Sequence, residues 1–188
     1  PIIGGPSVKP YQPPGLWELA TSGRGLLTTY KQDHGDNLYR RGLYTFIKRT
    51  VPPPSMMIFD ASNRDQCEVK RSRTNTPLQA LIMMNDPTIL EASVALADHL
   101  IQKKEKPEAA VTEAFLRIIN RHPDKEEQNI LIQYFNEQET YFKTNPETIT
   151  KVTDVGEYKM SSAPTPEVAA LVRLVQVIYN MDEAITKT

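Results

Sequence analysis

Cysteine is almost missing from this sequence. Cys67 stands alone, so no disulfide forms within the chain, and a small hydrophobic role is the ordinary reading of such a residue. Neither a Cys-x-x-Cys-His haem-attachment run nor the several Cys and His of a structural zinc site is present, so no metal and no cofactor is expected in this chain. Histidine is scarce as well: of three residues, His99 and His122 lack a second ligand four positions on and read as structural. No stretch approaches the roughly 18 consecutive apolar residues of a membrane span. The longest candidate, Val168 to Tyr179, is interrupted by Arg173 and Gln176 and reads as a core helix, so no membrane insertion is expected. Charge of one sign is also lacking, since 22 Lys and Arg against 23 Asp and Glu leave a formal charge of −1. That excludes a whole-domain field for nucleic acid or an anionic membrane, and any anion site must be local. The sequence opens at Pro1 with neither an initiator Met nor a signal peptide, and it is expected to be a fragment of a longer protein.

What is present suits a folded chain. Hydrophobic residues make up 39% and charged residues 24%, well away from the disordered regime, and 188 residues suffice for a single domain over 1–188 with one core. Residues 1–75 read as a loop-rich wrap, interrupted by Pro13-Pro14-Gly15 and Pro52-Pro53-Pro54. One helix is expected there, near 37–50, with Tyr39, Leu43, Phe46 and Ile47 on its apolar face. Residues 76–188 read as a helical core. Thr76-Pro77-Leu78-Gln79 carries the ingredients of a capping box, and Asn85-Asp86-Pro87 repeats the grammar for a second helix. Val111, Ala114, Phe115 and Ile118 mark a third helix, and a fourth spans about 123–142. Residues 143–163 read as a long mobile connection. Thr165-Pro166 then caps a last helix that is apolar nearly all round and therefore central. Only 56–59 and 68–70 resemble strands, so the fold class is mainly α: an irregular helical bundle with a Pro-rich N-terminal half and at most a small β-hairpin.

Several runs carry a family resemblance: Gly4-Gly5-Pro6-Ser7 through Trp17-Glu18, Tyr39-Arg40-Arg41-Gly42 through Val51-Pro52-Pro53-Pro54, and Phe59-Asp60-Ala61. Arg71-Ser72-Arg73-Thr74-Asn75-Thr76-Pro77-Leu78-Gln79, Asn85-Asp86-Pro87 and the closing Asn180-Met181-Asp182-Glu183-Ala184-Ile185-Thr186 complete the set. Together they resemble a domain of unknown function at the C-terminus of planctomycete-type cytochrome c proteins, found also in Bacteroidetes. The sequence departs from that pattern at Gly42, where the family usually has Ser, and at Ala184, where it usually has Phe. The resemblance implies an exported multidomain protein, periplasmic or at the cell surface, whose preceding modules, some haem-bearing, are this chain's partners.

Three constellations have residue types suited to chemistry. Asp33, His34 and Asp36 place two carboxylates around one imidazole in a Gly-containing loop, as a base or ligand set would require; hydrogen bonds that hold the loop give the same pattern. Arg40, Arg41, Arg49, Lys70, Arg71 and Arg73 form a local basic set suited to an anionic ligand. Pairing with Asp60, Asp65 and Asp86 in the interior would produce it equally, and convergence of the arginines on Asp60 and Asp86 is the expectation. Asn75, Thr76, Gln79, Asn85 and Asp86 suit either a pocket at two helix N-termini or plain capping. Tyr11 and Trp17 suit stacking on a sugar ring or fastening loops onto a core. Two functions are open on these residues. The first is a non-catalytic interaction or scaffold domain of a larger exported, haem-associated protein. The alternative is a ligand-binding or hydrolytic domain that uses His34, Asp33 and the arginines on an anionic substrate, such as an acidic or sulfated polysaccharide.

Overall fold

A computed structural model describes residues 5–22, 24, 27–62, 69–70, 74–103 and 106–186. Contacts cluster into two units, Pro1–Thr74 and Asn75–Thr188. Both are built from helices and loops, and among the described residues β-pairing is limited to isolated bridges, Val8 with Thr45 and Lys48 with Val51.

The first unit holds two short helices, α1 (Leu16–Thr21) and α2 (Pro54–Ile58), and two 3-10 turns, Gly35–Tyr39 and Gly42–Tyr44. The single helix expected near 37–50 does not form. Arg40, Arg41 and Thr45 take extended backbone, and the segment around Thr45 pairs with a distant one: Val8 N–H donates to Tyr44 O and Phe46 N–H to Val8 O, both at 2.8 Å. Tertiary hydrogen bonding overrides a local periodicity here. Of the apolar face expected on that helix, Leu43 is 74% exposed. The run 56–59, a strand candidate, falls mainly in α2, where Pro54 sits at the first helical position. The other candidate, 68–70, lies partly outside the described residues, as does Cys67 altogether. Trp17 anchors this unit at 0% exposure, with Tyr30 edge-on at 5.0 Å and Phe46 tilted at 5.9 Å between ring centroids.

The second unit opens on α3 (Pro77–Asn85), whose start is the capping box read from the sequence: Gln79 N–H donates to Thr76 Oγ1 at 3.3 Å, and Thr76 N–H to Gln79 Oε1 at 2.8 Å. Asp86 then accepts from Thr88 N–H at 2.8 Å and starts α4 (Pro87–Gln102), which is bent 58° from α3. After α5 (Pro107–Ile119), the chain turns at Asn120, in the left-handed region at φ 68°. A second capping box, Asp124 with Glu127, begins α6 (Lys125–Thr144). α8 (Pro166–Tyr179), capped by Thr165, packs against α4, α5, α6 and α7 (Ile149–Thr153). Val168, Ala169, Ala170, Val172, Leu174, Val175 and Ile178 are all at 0% exposure, which makes α8 the centre of the core. Phe115, Phe135 and Phe142 fill the spaces around it, and each contributes about 2–3 kcal/mol by leaving water. The short α9 (Asp182–Ile185) is held by Arg121, which forks between Glu127 and Glu183 at 2.7–2.9 Å.

The span 143–163 is not a long loose connection. It contains a 3-10 turn, Pro146–Thr148, and then α7, and the loop beyond α7 is fastened to α4 by two buried carboxylates. Glu91, 2% exposed, accepts from the backbone N–H of Glu157 at 2.6 Å and of Tyr158 at 2.5 Å. Asp98, at 0% exposure, accepts from Tyr158 Oη at 2.8 Å and from the N–H groups of Ser161 and Ser162 at 2.9 Å. Gly156, at φ +73°, lets the loop approach: a Cβ there would lie 2.6 Å from the Glu91 carboxyl. Burial pushes Asp98 upward, but the hydrogen bonds from Ser162, Ser161 and Tyr158 outweigh it and hold the carboxyl well below its usual range.

Candidate functional site

The loop acids and histidine do not assemble as a set. Asp33 is half-buried, and its carboxylate accepts from Lys9 N–H at 2.8 Å while its own N–H donates to Lys9 O at 2.9 Å. It closes a backbone pairing, which is the loop-holding role. His34 and Asp36 are exposed, one before and one within the turn Gly35–Tyr39.

Cations of the first unit are placed over aromatic rings. Lys48 Nζ lies 4.8 Å from the Trp17 centroid and donates to Leu27 O at 2.7 Å, Lys9 Nζ lies 5.7 Å from Phe46, and the Arg40 guanidinium lies 4.4 Å from Tyr44. Arg40 Nη1 also lies close to Gly5, where a Cβ would come within 2.6 Å of it. Its Nε and Nη2 are buried without a hydrogen-bond partner. Arg41, Arg49 and Lys70 are exposed, and Arg71, Arg73 and Asp65 lie outside the described residues. The expected convergence on Asp60 and Asp86 rests in part on Arg71 and Arg73 and to that extent lies outside the described residues. Asp60 accepts from the N–H and hydroxyl of Thr74 at 2.8 and 2.9 Å, and Asp86 caps α4. Trp17 is fully buried and cannot stack on a sugar, so it fastens loops to the core.

The polar set at the two helix starts is likewise structural. Asn75 Nδ2 donates to the Asp182 carboxylate, Thr76 and Gln79 form the capping box, and Asn85 Nδ2 donates to Leu81 O at 2.7 Å. His99 and His122 are both exposed, and among the described residues no three His, Cys, Asp or Glu side chains group at metal-binding distance.

The surface that distinguishes the second unit is the outer side of α3. Leu78, Leu81 and Met84 are 51%, 56% and 53% exposed, whereas Gln79 and Met83 on the same helix are buried. At about 100° per residue, the first three lie on one side and the last two on the opposite side. Single exposed apolar residues are ordinary, but three in one row make a contiguous apolar strip. The sequence holds the signal: α3 is apolar on both sides, and Gln79 in the capping box marks which side turns inward. The tethering acids were also readable, because Glu91 and Asp98, seven residues apart, sit on the stripe of Val94 and Ala97. Among the described residues no single helix is long and apolar enough to cross a membrane; α3 and α4 together have the length and composition but are bent at Asp86.

No curated protein and no solved structure matches the chain. The family model described as "PSD1: Protein of unknown function (DUF1553)" matches residues 1–135, which run from the first residue into α6, and the chain belongs to that family.

Proposed function

We propose that the chain is a non-catalytic interaction domain of a larger exported protein and that it docks the neighbouring modules of that protein through the outer side of α3. The observation that carries this reading is the row Leu78, Leu81 and Met84, three large apolar side chains left in water on a helix whose other side is already packed. Burying such a row against a partner would supply about 0.8–1.5 kcal/mol per side chain, since each is already about half-buried, and a polar rim would add to it. The candidate catalytic carboxylate Asp33 is committed to Lys9, which supports a binding role over acid–base chemistry. The family resemblance supports partners that are haem-bearing modules in the periplasm or at the cell surface, with the cofactor held by those modules.

The test is direct. A variant with Leu78, Leu81 and Met84 all changed to Ser should keep its melting temperature, since surface changes usually stay within about 0.5 kcal/mol each. It should lose association with separately produced flanking modules of the full-length protein in calorimetry. Undiminished association of this folded variant would remove α3 from the interface and the reading with it.

A further inference from the structure

A second feature, independent of α3, lies where α6, α7 and α8 meet. A hollow of about 490 Å³ is lined there by Tyr134, Gln138, Tyr141, Phe142, Lys151 and Arg173, among others. The size falls within the roughly 300–1,000 Å³ of small-molecule sites. Arg173 is the anomalous member. It springs from the central helix between Val172 and Leu174, both at 0% exposure, and is itself half-buried, with its side chain in the wall of the hollow. Among the described residues its hydrogen bond is from Nη1 to Gln176 Oε1 at 2.9 Å. Among the described residues, no carboxylate lies within ion-pair distance of it or of Lys151. This contrasts with Arg121, whose guanidinium takes two glutamates, and with Arg117 and Lys103, which share Glu113.

The walls of the hollow add aromatic and neutral polar surface. Tyr141 is 49% exposed, and its ring is braced edge-on against the buried Phe142 at 5.3 Å, so it presents a fixed aromatic surface at the rim. Tyr134 is half-buried; burial, foremost, raises its phenol above the usual range and keeps it a neutral hydrogen-bonding group. Gln138 adds an amide with both a donor and an acceptor. Two cations that no carboxylate pairs among the described residues, the half-buried Arg173 and the exposed Lys151, together with an aromatic platform and neutral polar groups, make a site for a negative charge carried on a ring. We propose that this hollow binds a small anionic ring compound, with its carboxylate or sulfate on Arg173 and Lys151 and its ring against Tyr141.

The experiment titrates the full chain with glucuronate, benzoate and sodium sulfate at constant ionic strength, followed by calorimetry and by backbone amide shifts of α6–α8. Saturable binding of glucuronate or benzoate, tighter than that of sulfate, is expected, and whichever binds more tightly identifies a sugar or an aromatic ring as the carrier. Arg173→Gln should weaken it at least ~10-fold, the loss of a charge-assisted pair of hydrogen bonds, and Lys151→Ala by about 3-fold. Should Arg173→Gln fail to fold, Lys151→Ala and Tyr141→Ala decide the matter, because both side chains are on the surface. Absence of saturable binding, sulfate binding as tightly as the rings, or full affinity in Lys151→Ala and Tyr141→Ala would each overturn the assignment.

Discussion

Replacing Asp98 should loosen the second unit more than any surface change, and the size of the effect comes from its three donors. Tyr158 Oη–H and the N–H groups of Ser161 and Ser162 all point at one carboxylate at 2.8–2.9 Å, and the residue itself has 0% exposure. Asp98→Ala removes the acceptor and leaves these donors facing a cavity. Each bond to a charged group is worth about 1.5–3 kcal/mol, but the loop can swing outward and recover water for some of them. A net loss of about 3–4 kcal/mol is therefore expected, a large part of the stability of a domain this size. Asp98→Asn keeps the shape but turns an NH2 toward at least one N–H, and should cost about 2 kcal/mol. Urea denaturation of the full chain reads both values, and amide exchange at Ser161 and Ser162 locates the change. A loss below about 1 kcal/mol for Asp98→Ala, with exchange at those amides unaltered, would refute the claim that this carboxylate holds the loop.

Gly156→Ala tests the companion tether. The added Cβ meets the Glu91 carboxyl at 2.6 Å on a backbone of φ +73°, so a destabilisation of at least about 1–2 kcal/mol is expected in the same urea assay. Acid should act through the depressed carboxylates. Glu127 falls from 4.5 to about 2, chiefly through its hydrogen bonds with Arg121 and then Asp124 N–H, and Asp98 is lowered as well. A carboxylate depressed by folding contributes stability that is complete above its unfolded value. The melting temperature should therefore stay level from neutral pH down to about 5 and fall between about 4.5 and 2. Arg121→Gln should make that fall shallower, and an unchanged slope would show that the pair does not set it.

The parts of the fold legible in the sequence are those whose causes are local. Thr76-Pro77-Leu78-Gln79, Asp86-Pro87 and Thr165-Pro166 fix helix starts through bonds that reach two or three residues, and all three helices begin there. The apolar run of α8 announces a central helix because one-sided burial cannot accommodate it. Misreadings occur where the deciding partner is far away in the chain. Nothing within 37–50 reports that Val8 will take the hydrogen bonds of Tyr44 and Phe46. Likewise, the polar stretch after 153 looks loose because its acceptors sit 60 or more residues earlier, as in the Glu157–Glu91 bond at a separation of 66. The arginine and Asp-His-Asp sets were visible by composition, but their geometry depends on rings and backbone groups that composition does not order. Arg40 lies on Tyr44, and Asp33 lies on Lys9.

The interior of the second unit shows how this fold treats charge, and that bears on Arg173. Glu91 and Asp98 are as deeply buried as its aliphatic core, yet both have donors brought to them from a distant loop, and Gly156 is shaped to permit the approach. Arg121 receives comparable treatment at the surface, with two carboxylates and the Phe115 ring beneath it at 4.9 Å. Arg173 is treated differently: its guanidinium donates to the neutral Gln176 and faces the hollow. Lys151 stands at the same hollow, a second positive charge exposed at its rim. Holding two like charges around one hollow fits a site whose negative partner arrives from outside the chain.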